Sequence, residues 1–128
     1  MTEPKWFTYD QAVAAHSIQL RRFGGAPGLR DERGLRSVLE RPINWHDESA
    51  ALPELAAAYA FALAKNHAFV DGNKRIAFIA MVAFLRKNGV PFKPDQAQAT
   101  AMILAVASGE VSEENLARWI RDHWPEGS

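Results

Sequence analysis

Two apolar runs of ten residues each, 55–64 and 76–85, flank a short polar break and limit what this chain can fold into. Each falls well short of the roughly 20 apolar residues that cross a bilayer, so both read as buried helices. In the first, Leu52, Leu55, Tyr59 and Leu63 recur at helical spacing, and Pro53 suits an opening turn. The alanines between them keep this helix slim, so neighbours can pack closely, and its end is expected near His67. The second runs from about 73 to 88 and is closed by Gly89 and Pro91. It is apolar on all sides, the mark of a helix surrounded by others.

The rest of the chain keeps the same period. Thr8 with Gln11 forms a capping box that opens a helix through Arg22, with Val13, Ala14 and Ile18 as its apolar positions. Residues 23–31 break it with three glycines and a proline. Asp31 can cap a second short helix through Leu39, closed by Pro42, and residues 43–49 read as a loop. Helices over 95–107 and 112–123, the latter capped by Ser112, bring the number to about six. There is no alternating strand pattern, repeat or low-complexity linker. A chain of 128 residues suits one domain, 1–128. The expected fold class is all-α, a compact single-domain bundle of about six helices around a buried central helix.

Charge and cysteine usage remove several function classes. Fifteen basic and fifteen acidic residues give a formal net charge of zero, without the basic footprint of a nucleic-acid or anionic-membrane binder. No membrane partner and no direct nucleic-acid binding are therefore expected. The absence of cysteine excludes a disulfide scaffold, a thiol nucleophile and a Cys-ligated zinc site. The start of the chain has no apolar stretch of signal-peptide type, so the expected location is cytoplasmic. His16, His46 and His123 are dispersed and show no ligand spacing, while Trp6, Trp119 and Trp124 read as packing residues. Between 21 and 41, six arginines face three acids, which reads as a solvated face. The glycines of 23–30 permit either a mobile flap or a plain turn.

Chemistry concentrates in the break between the two apolar runs, Asn66-His67-Ala68-Phe69-Val70-Asp71-Gly72-Asn73-Lys74-Arg75. A turn at Gly72 exposes backbone N–H groups at the start of the next helix, and with the helix dipole these make an anion site beside Lys74 and Arg75. Asp71 can hold a hard cation such as Mg²⁺, which takes one or two carboxylates plus phosphate oxygens. His67 carries an imidazole, the side chain that changes charge near neutral pH, and can take a proton from a hydroxyl. These are the parts of a phosphate-group transfer site. The same residues also admit a structural reading, with Asp71 as a helix cap, Lys65 and His67 complementing a helix end, and Lys74 and Arg75 solvated.

The segment His67-Ala68-Phe69-Val70-Asp71-Gly72-Asn73-Lys74-Arg75 resembles the signature of the Fic/Doc superfamily, in the form found in death-on-curing (Doc) toxins. Gly24-Gly25-Ala26-Pro27-Gly28-Leu29-Arg30-Asp31, leading into Gly34-Leu35, and Phe84-Leu85-Arg86-Lys87-Asn88-Gly89 also resemble those toxins, in the same order. The resemblance extends over residues 8–120. It implies His67 as general base toward a target hydroxyl and Asp71 as the ligand of a nucleotide-bound Mg²⁺. It further implies Gly72, Asn73 and Lys74 at the anion hole, with Lys74 among the catalytic residues, Arg75 on phosphate, and Phe69 as the apolar anchor of the loop.

Lys74 replaces the second glycine, and Phe78 the second arginine, of the Gly-Asn-Gly-Arg-x-x-Arg pattern of AMP-transferring relatives. In Doc toxins this goes with a reversed nucleotide, so the resemblance implies transfer of the γ-phosphate of ATP to a protein Ser or Thr. Its characterised target is a translation factor, elongation factor Tu. The rival readings are an AMP-transferase on the same scaffold and a non-catalytic partner-binding module. No Ser or Thr has a Glu four residues on, so the self-inhibitory helix of many Fic enzymes is missing. Restraint is expected from a cognate antitoxin, whose disordered tail folds as a helix on the toxin.

Overall fold

Four of the helices begin on side-chain caps, and Asp31 caps the second of them as expected, its Oδ1 accepting the Gly34 N–H at 2.9 Å. The computed structural model describes residues 3–45 and 51–125, which form α1 (Tyr9–Phe23), α2 (Glu32–Trp45), α3 (Leu52–Lys65), α4 (Asn73–Lys87), α5 (Gln96–Ala107) and α6 (Glu113–Asp122). Thr8 Oγ1 accepts the Gln11 N–H at 3.2 Å while Gln11 Oε1 accepts the Thr8 N–H at 3.0 Å, closing the capping box of α1. Asp95 caps α5 through the Gln98 N–H at 2.9 Å, and Ser112 caps α6 through the Asn115 N–H at 3.1 Å. The all-α fold class holds. An isolated antiparallel bridge between Leu29 and Phe69 is the one extended pairing among the described residues. Among those residues no helix is long and apolar enough to cross a membrane.

The central helix is α3, which packs against α2, α4, α5 and α6. Leu55, the Ala56–Ala58 run, Tyr59 and Ala60 are fully buried, and the alanines let four helices close in on one axis. The Tyr59 hydroxyl accepts the Phe7 N–H at 3.0 Å, and burial pushes the phenol pKa up to about 12. Phe84 of α4 lies against Tyr59, with ring centroids 5.1 Å apart, and beneath Trp6 at 6.1 Å. These rings tie the N-terminal segment, α3 and α4 into one core.

Three sequence expectations need correction. The all-round apolar pattern of 76–85 marks α4 as surrounded, yet its Phe78, Ile79, Val82 and Ala83 are only half-buried, because α4 packs on α3, α5 and α1 and leaves one face to an open groove. Pro42 does not close the second helix: α2 continues through it to Trp45, so 43–45 are helical rather than loop. The buried Pro42 ring and the Arg41–Glu113 pair on the same turn, at 2.7 Å, work against the roughly 3 kcal/mol that an interior proline costs. The helix of the first apolar run ends at Lys65, near His67 as expected, where Asn66 takes an extended conformation. On α1 the buried residues are Ala12 and His16, whereas Val13 is half-buried, Ala14 exposed and Ile18 42% exposed. The reason is that the inward ring of His16 finds partners in the loop before α4, described below. His46 and the rest of the expected loop, 46–49, lie outside the described residues.

Because Phe84 joins all three core segments, Phe84→Ala should cost about 3–5 kcal/mol of stability in urea unfolding, with the denaturant slope unchanged.

Candidate functional site

The loop from Asn66 to Gly72 is polar at its tip and apolar at its root. Ala68 and Phe69 are buried while His67, Val70 and Asp71 face out, so the loop is pinned at its centre and presents its chemistry on the surface. Two partners hold Phe69. The His16 ring of α1 stacks on it, with centroids 3.8 Å apart and planes 14° from parallel. The buried Asn73 amide brackets its backbone, Oδ1 accepting the Phe69 N–H at 3.0 Å and Nδ2 donating to the Phe69 carbonyl at 2.9 Å. The Asn73 side chain is therefore spent on the loop, and its backbone N–H is what it offers a ligand.

Gly72 follows with φ 81° and ψ 15°, a left-handed conformation that glycine adopts without strain, and it serves as the N-cap of α4. No side chain caps α4, so the first N–H groups of its opening turn keep their hydrogen-bonding capacity. Lys74 is exposed, and among the described residues it makes no hydrogen bond or ion pair. The first turn of α4 contains no acid. An open helix start with a neighbouring cation has the character of an anion site.

Asp71 sits at its edge. One carboxylate oxygen, Oδ1, accepts the Gly72 N–H at 2.8 Å, and Oδ2 accepts the Ala26 N–H at 3.2 Å. These two N–H groups, helped by the charges of Arg75 and His16, hold the Asp71 carboxyl below the usual carboxylate range. The carboxylate is thus ionised at neutral pH, exposed, and has lone pairs to spare. Among the described residues no group of three or more His, Cys, Asp and Glu is gathered to hold a metal. A hard cation at Asp71 would draw its remaining ligands from water and phosphate, as Mg²⁺ commonly does.

Segment 23–30 is neither a free flap nor a plain turn. It lies along the loop, where the Val70 N–H donates to the Gly28 carbonyl at 3.0 Å and the Arg30 N–H to the Ala68 carbonyl at 2.7 Å. Arg75 Nη2 donates to the Gly24 carbonyl at 3.3 Å. Gly25, at φ 123°, lets this backbone come so close that an added Cβ would stand 2.9 Å from Asp71 Oδ2. The sequence reading weighed only a flap against a turn here, and read His16 as a dispersed histidine without ligand spacing. The signal available for His16 was its position four residues after Ala12, on the face of α1 that turns inward.

His67 and Lys74 share a cleft of about 630 Å³ with the C-terminal part of α5 and the turn after it, including Ala105, Ser108 and Glu110. On its other side Lys74, with Arg75, closes one end of a groove of about 1160 Å³ between α1, α4 and α5. The floor of that groove is apolar (Phe78, Ile79, Val82, Ile103). Its rim carries Arg22, Arg86, Lys87 and Lys93, and no acidic side chain lines it among the described residues. The structure thus places His67 and Lys74 on one cleft and Lys74 and Arg75 on the groove, with Asp71 and Gly72 at the start of α4 and the Asn73 side chain buried beneath them.

Comparison with known proteins agrees with this arrangement. A profile described as the Fic/DOC family matches residues 6–85. The chain is 32% identical over 114 residues to "Protein kinase doc" of Escherichia phage P1, covering 88% of this chain and 90% of that relative. It is 42% identical over 98 residues to "Toxin Doc" of Mycolicibacterium smegmatis, covering 74% of this chain and 72% of that relative.

The depressed pKa of Asp71 has a direction that can be measured. Its ionised form favours the folded state above the ordinary carboxylate value near 3.9, and that contribution is lost as pH falls through the lower folded-state value. The stability difference between the native chain and Asp71→Asn should stay constant from pH 7 to about 5 and shrink below about 4. Urea unfolding of both proteins at each pH checks this, and a difference independent of pH would contradict it.

Proposed function

This chain belongs to the Fic/DOC family, and from that premise we propose that it is a Doc-type toxin that transfers the γ-phosphate of ATP to a Ser or Thr hydroxyl of a target protein. The observation that carries this reading is the uncapped start of α4 between an unpaired Lys74 and an ionised Asp71, with His67 in the adjoining cleft. The curated relatives support it through their names, one a protein kinase and the other a toxin. Elongation factor Tu is the target that the family resemblance suggests.

In this mechanism the backbone N–H groups of Asn73, Lys74 and Arg75 and the Lys74 ammonium bind phosphate oxygens. Asp71 would hold a Mg²⁺, which would neutralise charge on the phosphates. His67 takes the proton of the target hydroxyl as the hydroxyl oxygen bonds to the γ-phosphorus and the bond to ADP breaks. Lys74 fills the space that a glycine leaves open in AMP-transferring relatives, which favours an orientation with the γ-phosphate toward His67. The basic rim and apolar floor of the α1–α4–α5 groove suit an acidic amphipathic helix. We assign the groove to the folded tail of an antitoxin, which would restrain the toxin from outside.

Purified protein, Mg²⁺ and a bacterial lysate, incubated in parallel with γ-labelled and α-labelled ATP, test the reading. Label should enter a protein band from γ-labelled ATP alone, and His67→Ala should lower the rate about 10²- to 10⁴-fold. Lys74→Gly should weaken γ-transfer. Label from α-labelled ATP would establish the AMP-transferase instead. Growth arrest that survives His67→Ala would point to the binding module.

A further inference from the structure

The buried histidine of α1 lies outside the motif, yet its ring touches three parts of the loop that carries it. His16 is only 5% exposed, stacks on Phe69, and places Nε2 2.7 Å from the Asp71 carbonyl oxygen. A carbonyl only accepts, so Nε2 carries the proton and donates. The same ring edge lies against Gly72, where an added Cβ would stand 3.4 Å from Nε2.

The peptide between Asp71 and Gly72 is a rigid plane, with its carbonyl on one edge and its N–H on the other. His16 holds the carbonyl edge, and the N–H edge donates to Asp71 Oδ1 at 2.8 Å. Fixing the carbonyl therefore fixes the N–H, which in turn aims the carboxylate. The next carbonyl, that of Gly72, lies one α-carbon beyond this plane, accepts the Ile76 N–H at 3.0 Å and starts α4, so the clamped peptide directly precedes the helix start. Stacking alone would need only a ring; the 2.7 Å hydrogen bond needs a donor.

We propose that His16 is a positioning residue of the transfer site, clamping the Asp71–Gly72 peptide so that the Asp71 carboxylate and the first N–H groups of α4 face one bound anion. The proposal rests on the phosphate-transfer reading for its consequence in catalysis, but the clamp itself is independent of it.

Two variants of the full chain separate the donor from the ring. His16→Phe keeps a ring to stack on Phe69 and removes the donor, whereas His16→Gln gives up the ring and returns an N–H. His16→Phe should lose kcat for γ-phosphate transfer on the order of 10²-fold, the scale of a small misplacement in an active site, and His16→Gln should recover most of it. The Gly72 amide resonance in a ¹⁵N–¹H spectrum should move in His16→Phe and return toward its native position in His16→Gln. Native kcat and an unmoved Gly72 resonance in His16→Phe would overturn the proposal. So would a glutamine variant no better than the phenylalanine one, which would leave packing as the whole role. If the native chain transfers no phosphate, the functional reading fails, and the Gly72 resonance alone decides for or against the clamp.

Discussion

Phe69 has to be buried, and the residues on either side of it have to stay at the surface. That conflict is settled by a short stack and bracket: the His16 ring above Phe69, and the Asn73 amide closed on both polar groups of the Phe69 backbone. An aromatic ring in the core contributes the area that holds the loop down, while the amide satisfies the N–H and C=O that go down with it. With the loop pinned at its centre, Asp71 and Gly72 form a turn short enough to leave α4 without a side-chain cap. The open helix start, the ionised carboxylate and the neighbouring cation all follow from where Phe69 sits.

The bundle supplies rigidity in the places the loop needs it. Slim α3 allows four helices around one axis, which fixes the point from which the loop departs. Helix α1 lies across the start of α4 and brings His16, while the segment after it pairs with the loop and sends the Ala26 N–H to Asp71. Sites held by elements rather than by loops alone are the more exact ones. Here both sides of a surface loop are braced by a helix and a short extended segment. The face of α4 that remains open carries apolar side chains beneath a basic rim, so the same helix that begins at the candidate anion site also floors the groove.

Local chemistry was legible in the sequence, and long-range geometry was not. The caps at Thr8, Asp31 and Ser112 could be read because a cap is a bond across three residues. The motif at 67–75 could be read because its residue types share one short loop, whereas Phe69 as its anchor came from the family resemblance and is matched by its burial. Pro42 misled because the local cost of an interior proline was weighed without the α6 contact that its helix makes. Helix α4 misled because its pattern records how apolar the side chains are and not which of them face solvent. His16 was hidden because its partners, Asp71 and Phe69, lie more than fifty positions away along the chain.

The central claim is that the start of α4 holds the phosphates of the nucleotide. A crystal structure of the protein with Mg²⁺ and a non-hydrolysable ATP analogue tests it most directly. The account predicts phosphate oxygens within hydrogen-bonding distance of the Asn73, Lys74 and Arg75 backbone N–H groups, with the γ-phosphate on the side of His67. Phosphates bound elsewhere, with those N–H groups left to solvent, would contradict it.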